Sequence, residues 1–127
     1  MRVRYAETDQ MLVVYYANYY VWFEVARTDL LRQAGFTYKD MEADGYVLPV
    51  VESHCEYRQP ARYDDEIDIE VEGALLSRVR VKFTYVVSRV RDKAHLATGY
   101  TIHGSLDRRG RPSRLPDRLA EFLATSR

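Results

Sequence analysis

One long helical pattern followed almost entirely by strand patterns confines this chain to few architectures. In residues 18–34, Tyr19, Trp22, Phe23, Ala26 and Leu30 recur at the spacing of one helix face, while Glu24, Arg27, Thr28 and Arg32 fall on the others. At the usual rise per residue this helix is about 25 Å long, the longest element of the chain. Asn18 predicts its N-cap and Gly35 its stop. Residues 37–43 predict a second, short helix closed by Gly45, and residues 2–6 a short strand ahead of both.

Beyond Gly45 the period becomes two. Residues 46–58 read as extended, and residues 66–71 alternate, with Ile67, Ile69 and Val71 facing one way and Glu66, Asp68, Glu70 and Glu72 the other. Residues 79–90 put Val79, Val81, Phe83, Tyr85 and Val87 on one face, and residues 95–106 align Leu96, Tyr100, Ile102 and Leu106. Pro-, Asp- and Arg-rich segments at 60–65, 77–78, 91–93 and 108–112 supply the connections. Residues 116–124 predict a terminal helix with Pro116 near its first turn. A single long helix must bury its apolar stripe, and an antiparallel sheet wrapped around it is the economical way to do so. With no repeat, low-complexity tract or linker, residues 1–127 read as one α+β domain.

Composition removes several function classes. Nineteen basic and nineteen acidic side chains cancel, which argues against a generic nucleic-acid or anionic-membrane surface. The single cysteine, Cys55, excludes an intrachain disulfide and fits a reducing compartment. No apolar run nears the ~20 residues needed to span a bilayer, and the N-terminus has no signal-peptide pattern, so a cytoplasmic location is expected.

The chemistry concentrates between Tyr5 and Tyr19. A Thr8-Asp9 pair precedes an apolar, tyrosine-rich loop that runs directly into the long helix. That order can set a carboxylate beside a helix N-terminus, whose free N–H groups favour developing negative charge. Acyl transfer needs little more, provided the carboxylate is ionised, shielded from bulk water and correctly aimed.

The element order, together with Tyr5, Thr8-Asp9, Val13-Val14-Tyr15, Ala17-Asn18-Tyr19, Trp22-Phe23-Glu24 and Arg27-Thr28, resembles the hotdog-fold acyl-CoA thioesterases of the 4-hydroxybenzoyl-CoA thioesterase and YbgC-like family. Glu56-Tyr57 followed by residues 60–65 is a second match. The resemblance implies a hotdog fold, an antiparallel sheet around one central helix, and hydrolysis of an acyl-CoA to free acid and CoA with no metal or cofactor. It implies Asp9 as nucleophile or general base and the Tyr16 backbone amide as an oxyanion donor. Tyr15, Asn18 and His54 would contact substrate, His54 from a neighbouring subunit. Ser77, Arg78 and Arg80 stand where the hydroxybenzoyl-CoA branch keeps nucleotide-binding residues, and Arg78 and Arg80 would share a strand face. Homodimers, usually doubled into tetramers with sites at the dimer seam, are implied as well. Glu52, His54 and Glu56 on one strand face would then belong to a seam or wet cleft.

Two positions depart from the family pattern. Leu12 stands where the family usually has Gly, a position suited to positive φ or close backbone approach. Tyr16 stands where many YbgC-like members have His, although the hydroxybenzoyl-CoA branch has Tyr.

Each candidate also has a plainer role. Asp9 can cap a turn, Asn18 can cap the helix, and Tyr19, Trp22 and Phe23 can be core; Tyr16 is the aromatic assigned to the site. His54 and Cys55 are strand neighbours facing opposite ways, so they cannot form a nucleophile–base pair. His95 and His103 lie far apart, and no zinc spacing is present. The competing readings are a hydratase on the same fold, which would need a His at the helix front, and a non-catalytic acyl-CoA or acyl-carrier binding protein.

Overall fold

The computed structural model describes residues 1–125. Helix α1 (Asn18–Gln33) is followed by a short α2 (Tyr38–Ala43), then β1 (Tyr46–Val47), β2 (Val50–Tyr57), β3 (Ile67–Leu75), β4 (Arg80–Arg89), β5 (His95–Gly104), β6 (Leu106–Asp107) and α3 (Asp117–Thr125). Four strands form an antiparallel sheet in the order β2-β5-β4-β3, and β1 pairs with β6 separately. The extended region expected at 46–58 is therefore two strands, broken at Leu48-Pro49, where proline cannot donate to a ladder.

The sheet packs its inner face on α1. Val81, Phe83, Tyr85 and Val87 of β4 are fully buried, as their alternation predicts. The Phe23 ring stacks on Tyr85 with centroids 4.3 Å apart and planes 7° from parallel. Helix and sheet meet so closely at Gly99 that a Cβ there would lie 2.6 Å from the Phe23 ring and 2.7 Å from the His54 carbonyl oxygen. Helix α3 seats Leu119 and Leu123 in the same core. Pro116 lies just outside it and accepts from the Ala120 amide, as a residue at a helix start does.

Four local expectations need correction. Residues 2–6 are not a strand: Arg2 makes a single bridge to Glu66, and Tyr5–Glu7 is a turn of 3-10 helix. Asn18 is not the N-cap, since Ala17 takes that position in helical conformation and Asn18 is already inside α1. Arg27, assigned to an outer face, is buried and donates from Nη1 to the Tyr85 hydroxyl at 3.1 Å. The core face of β5 is Ala97, Gly99, Thr101 and His103, while Tyr100 and Ile102 face out. A register shift opposite Val87 and Ser88 breaks the alternation, so Leu96 and Ala97 are both buried.

Four polar side chains inside this core are linked in one consistent direction, whereas the buried Ser105 hydroxyl has no hydrogen-bond partner among the described residues. The Arg27 guanidinium donates to the Tyr85 hydroxyl; that hydroxyl lies 2.7 Å from Thr101 Oγ1; His103 Nε2 is 2.8 Å from Thr101 Oγ1 and Nδ1 2.8 Å from the Leu48 carbonyl oxygen. If neutral His103 carries its proton on Nδ1, it donates to Leu48 and accepts from Thr101, and all four are paired.

Candidate active site at the start of helix α1

Residues 8–14 form a small hairpin. Thr8 bridges Val14, the Asp9 amide donates to the Val13 carbonyl at 2.9 Å, and the Leu12 amide donates back to the Asp9 carbonyl at 3.0 Å. This closes a four-residue turn whose last residue, Leu12, lies at φ +60, the left-handed conformation that such a tight hairpin favours there. Leu12 holds this conformation at a cost of roughly 1–2 kcal/mol. The far side is fastened by Val14 N–H to Ala61 and Tyr63 N–H to Leu12.

Within this frame Asp9 Oδ1 accepts from the Met11 amide at 2.8 Å and makes a longer contact, 3.4 Å, with the Val13 amide. Oδ2 makes no hydrogen bond among the described residues, so one oxygen is held and the other is available. The carboxylate is exposed in the single chain. The shielding from bulk water that the sequence-based account requires is not supplied by the chain on its own.

At the helix start, the amides of Asn18, Tyr19 and Tyr20 donate to the carbonyls of Tyr15, Tyr16 and Ala17. The Tyr16 and Ala17 amides have no such acceptor among the described residues. These are unpaired donors at the positive end of a sixteen-residue helix. Below them is a crevice of about 280 Å³ lined by Val13, Val14, Tyr16, Tyr19, Tyr57, Arg58, Gln59 and Pro60. Asp9 does not line it, but its hydrogen-bonded partner Val13 does. Tyr15 stands against Tyr16 with ring centroids 4.8 Å apart, and both rings are exposed.

The other predicted residues lie in different places. Asn18 turns its Nδ2 back to the Glu7 carbonyl at 2.9 Å and so ties the loop to the helix. His54 occupies the outer sheet face, stacked on Tyr100 and 3.4 Å from Glu56 Oε1, so within one chain it is not brought to Asp9. Glu52 accepts from the Tyr100 hydroxyl on that same face. Ser77 and Arg78 line a second crevice of about 330 Å³ with Arg114, Leu115 and Asp117. Arg80 does not line it. Arg78 lies two residues ahead of β4, so of the pair only Arg80 is a strand residue.

Two residues at or near these places, Glu7 and Arg114, were not singled out by sequence, and Tyr57 entered only through the Glu56-Tyr57 match, with no role given. Glu7 is buried, and its Oε2 accepts from Trp22 Nε1 at 2.6 Å. Tyr57 donates its hydroxyl to the Tyr16 carbonyl, and Arg114 lies beside Arg78. Glu7, between Ala6 and Thr8, carries no distinctive signal in the sequence. Tyr57 had the strand parity it shares with Cys55.

The fold and this loop-to-helix junction define a class. A family model described as the thioesterase-like superfamily matches residues 3–123, and the chain belongs to that family. A solved structure of a hypothetical protein from Thermus thermophilus superposes with a TM-score of 0.89 at 38% identity, covering all of this chain and 96% of that one. The architecture is accordingly the hotdog fold. YneP of Bacillus subtilis, provisionally named an acyl-CoA thioesterase, is 52% identical over 65 residues, which is 51% of this chain and 47% of that protein. YbgC of Escherichia coli, named an acyl-CoA thioester hydrolase, is 36% identical over 84 residues, 66% of this chain and 63% of that protein. The matched stretch thus spans about half of the first relative and under two thirds of the second.

Proposed function

We propose that this chain is an acyl-CoA thioesterase that uses Asp9 as its reacting carboxylate and the Tyr16 and Ala17 amides as its oxyanion donors. The observation that carries the reading is the pairing of one free carboxylate oxygen, Asp9 Oδ2, with two unpaired amides at the start of α1, joined through a single hairpin. In the general-base form, Asp9 takes a proton from water as the water oxygen attacks the thioester carbonyl carbon. The resulting oxyanion is received by the amides, and its collapse expels CoA thiolate, which takes up the proton. In the nucleophilic form, Oδ2 attacks the carbonyl carbon, C–S cleavage expels CoA thiolate and leaves a mixed anhydride, and water cleaves that anhydride to free acid and Asp9 carboxylate, its protons passing to the thiolate and solvent. One preorganised donor of this kind is worth roughly 3–4 kcal/mol in the transition state. Neither form calls for a metal or cofactor.

The crevice lined by Tyr16, Tyr19 and Tyr57 is the place for the acyl group, and Ser77, Arg78 and Arg114 suit the phosphates of CoA. Arg80 is left with a weaker claim. Tyr15 would cover the acyl chain from the solvent side, and Asn18 would keep the loop in place.

Assembly completes the account. Strand β2 is a free sheet edge exposed along nearly its whole length, whereas the N-terminus covers the start of the opposite edge through bonds between Met1 and Ile67. Met11, Leu12, Tyr15, Tyr16, Val50, Val51 and Tyr57 are exposed apolar side chains on the β2 and α1-start side. A second copy joined at β2 would cover them, shield Asp9 and bring its own His54 toward the site; two such dimers would make the tetramer. A cytoplasmic location fits this role, and no helix among the described residues is long and apolar enough to cross a membrane.

The non-catalytic alternative gains credit from a loop distorted by Leu12, and the hydrogen bonds that close the turn at Leu12 favour the catalytic reading. Thiol release from a panel of aliphatic and aromatic acyl-CoAs tests the reading, with sedimentation at micromolar concentration alongside. Turnover by a dimer or tetramer supports it; CoA-dependent thermal stabilisation without turnover supports the binding protein instead.

A further inference from the structure

We propose that Glu7 is a positioning residue, a buried carboxylate that fixes the distance between the Asp9 hairpin and the amides of α1. This rests on the thioesterase reading above and deepens it.

Glu7 sits two residues before Asp9 and is only 6% exposed, whereas Ala6 and Asp9 are exposed. Its side chain reaches inward rather than to water. Oε2 accepts from Trp22 Nε1 at 2.6 Å, and Oε1 accepts from the Arg4 amide at 2.9 Å with the Arg4 guanidinium 3.5 Å away. Its backbone carbonyl accepts twice, from the Tyr15 amide and from Asn18 Nδ2, both at 2.9 Å. One residue therefore grips the turn that leads to Asp9, the far end of the loop, the first residue of α1, and the second turn of that helix.

The Tyr15 amide is spent on Glu7, and the next two amides, those of Tyr16 and Ala17, are the unpaired donors. The residue that anchors the donors is thus the residue that anchors the stem of the carboxylate. Packing alone would be served better by an apolar side chain, because a buried carboxylate is costly unless its oxygens are paired. Reaction rates respond steeply to errors of about an ångström in such placement, and this contact removes that freedom.

The test compares Glu7→Gln, Trp22→Phe and their combination, each in the parent and in an Asp9→Asn background, by thiol release from benzoyl-CoA and butyryl-CoA. Far-ultraviolet circular dichroism and melting curves establish folding. In the parent background each single change lowers kcat by about tenfold to a hundredfold with KM within about twofold, and the pair does no worse than the more damaging single change. In the Asp9→Asn background Glu7→Gln changes residual turnover by less than about twofold, because the group it positions is gone. A folded Glu7→Gln or Trp22→Phe with parental kcat overturns the proposal, as does an equal loss in both backgrounds. Failure of both single variants to fold also overturns it, since Glu7 would then serve stability alone. Parental turnover in Asp9→Asn itself is a different outcome, and it removes the catalytic reading of the site rather than the role of Glu7 alone.

Discussion

The Tyr57 hydroxyl donates to the Tyr16 carbonyl oxygen at 3.1 Å, so the last residue of β2 holds the peptide next to the first unpaired amide of α1. The free sheet edge and the unpaired amides at the start of α1 are thereby linked through one hydrogen bond. Burial raises the Tyr57 phenol above its ordinary value, which keeps the proton on the donor. Tyr57→Phe should lower kcat about threefold to tenfold, the scale of one neutral hydrogen bond. The parent's pH–rate profile should show no ionisation of this group below about pH 10.

Leu12 holds a left-handed conformation that glycine adopts freely. Leu12→Gly relieves roughly 1–2 kcal/mol of strain and returns about 0.5–1 kcal/mol as added freedom of the unfolded chain. The variant should gain up to about 1 kcal/mol in urea denaturation. Leu12→Val, β-branched and less tolerant of positive φ, should lose about as much.

Burial lowers His103 to about 4, against 6.5 for the free side chain, with a smaller opposing effect from its bond to Leu48. The folded state prefers the neutral ring, so the contribution is fully present above pH 6.5 and is lost as pH falls toward 4, where protons must be forced into the core. The loss approaches about 3 kcal/mol. Denaturation curves at pH 7 and pH 4.5 should show this slope in the parent, and His103→Gln should flatten it while lowering stability at pH 7.

Gly99→Ala places a methyl group against the Phe23 ring and the His54 carbonyl at distances no real Cβ tolerates. Helix α1 must then move off the sheet, and a loss of about 1–3 kcal/mol in chemical denaturation is expected.

The regular parts of the fold were legible in the sequence because apolar side chains carry the signal. The alternation of β3 and β4 and the stripe of α1 that includes Trp22 and Phe23 correspond to what is buried. Where the core is built from small or polar groups, the signal vanishes: Gly99, Thr101 and His103 form the inner face of β5, and Arg27 reaches the interior by bonding Tyr85. The candidate site's frame was legible where a motif is local, as in the loop after Asp9 running into α1. Contacts that join distant segments were not: Glu7 to Trp22, Tyr57 to Tyr16, and the departure of Arg78 from strand geometry all depend on tertiary packing. The exposure of Asp9 was not legible either, since it depends on how the hairpin sits in the folded chain.

The most direct measurement is turnover by Asp9→Asn, an isosteric change that keeps the hairpin's Oδ1 contacts and removes the charge. Thiol release from the best acyl-CoA of the panel should fall about a thousandfold, with CoA affinity by calorimetry within about threefold of the parent. Turnover within tenfold of the parent, in a folded variant that still binds CoA, would contradict the account.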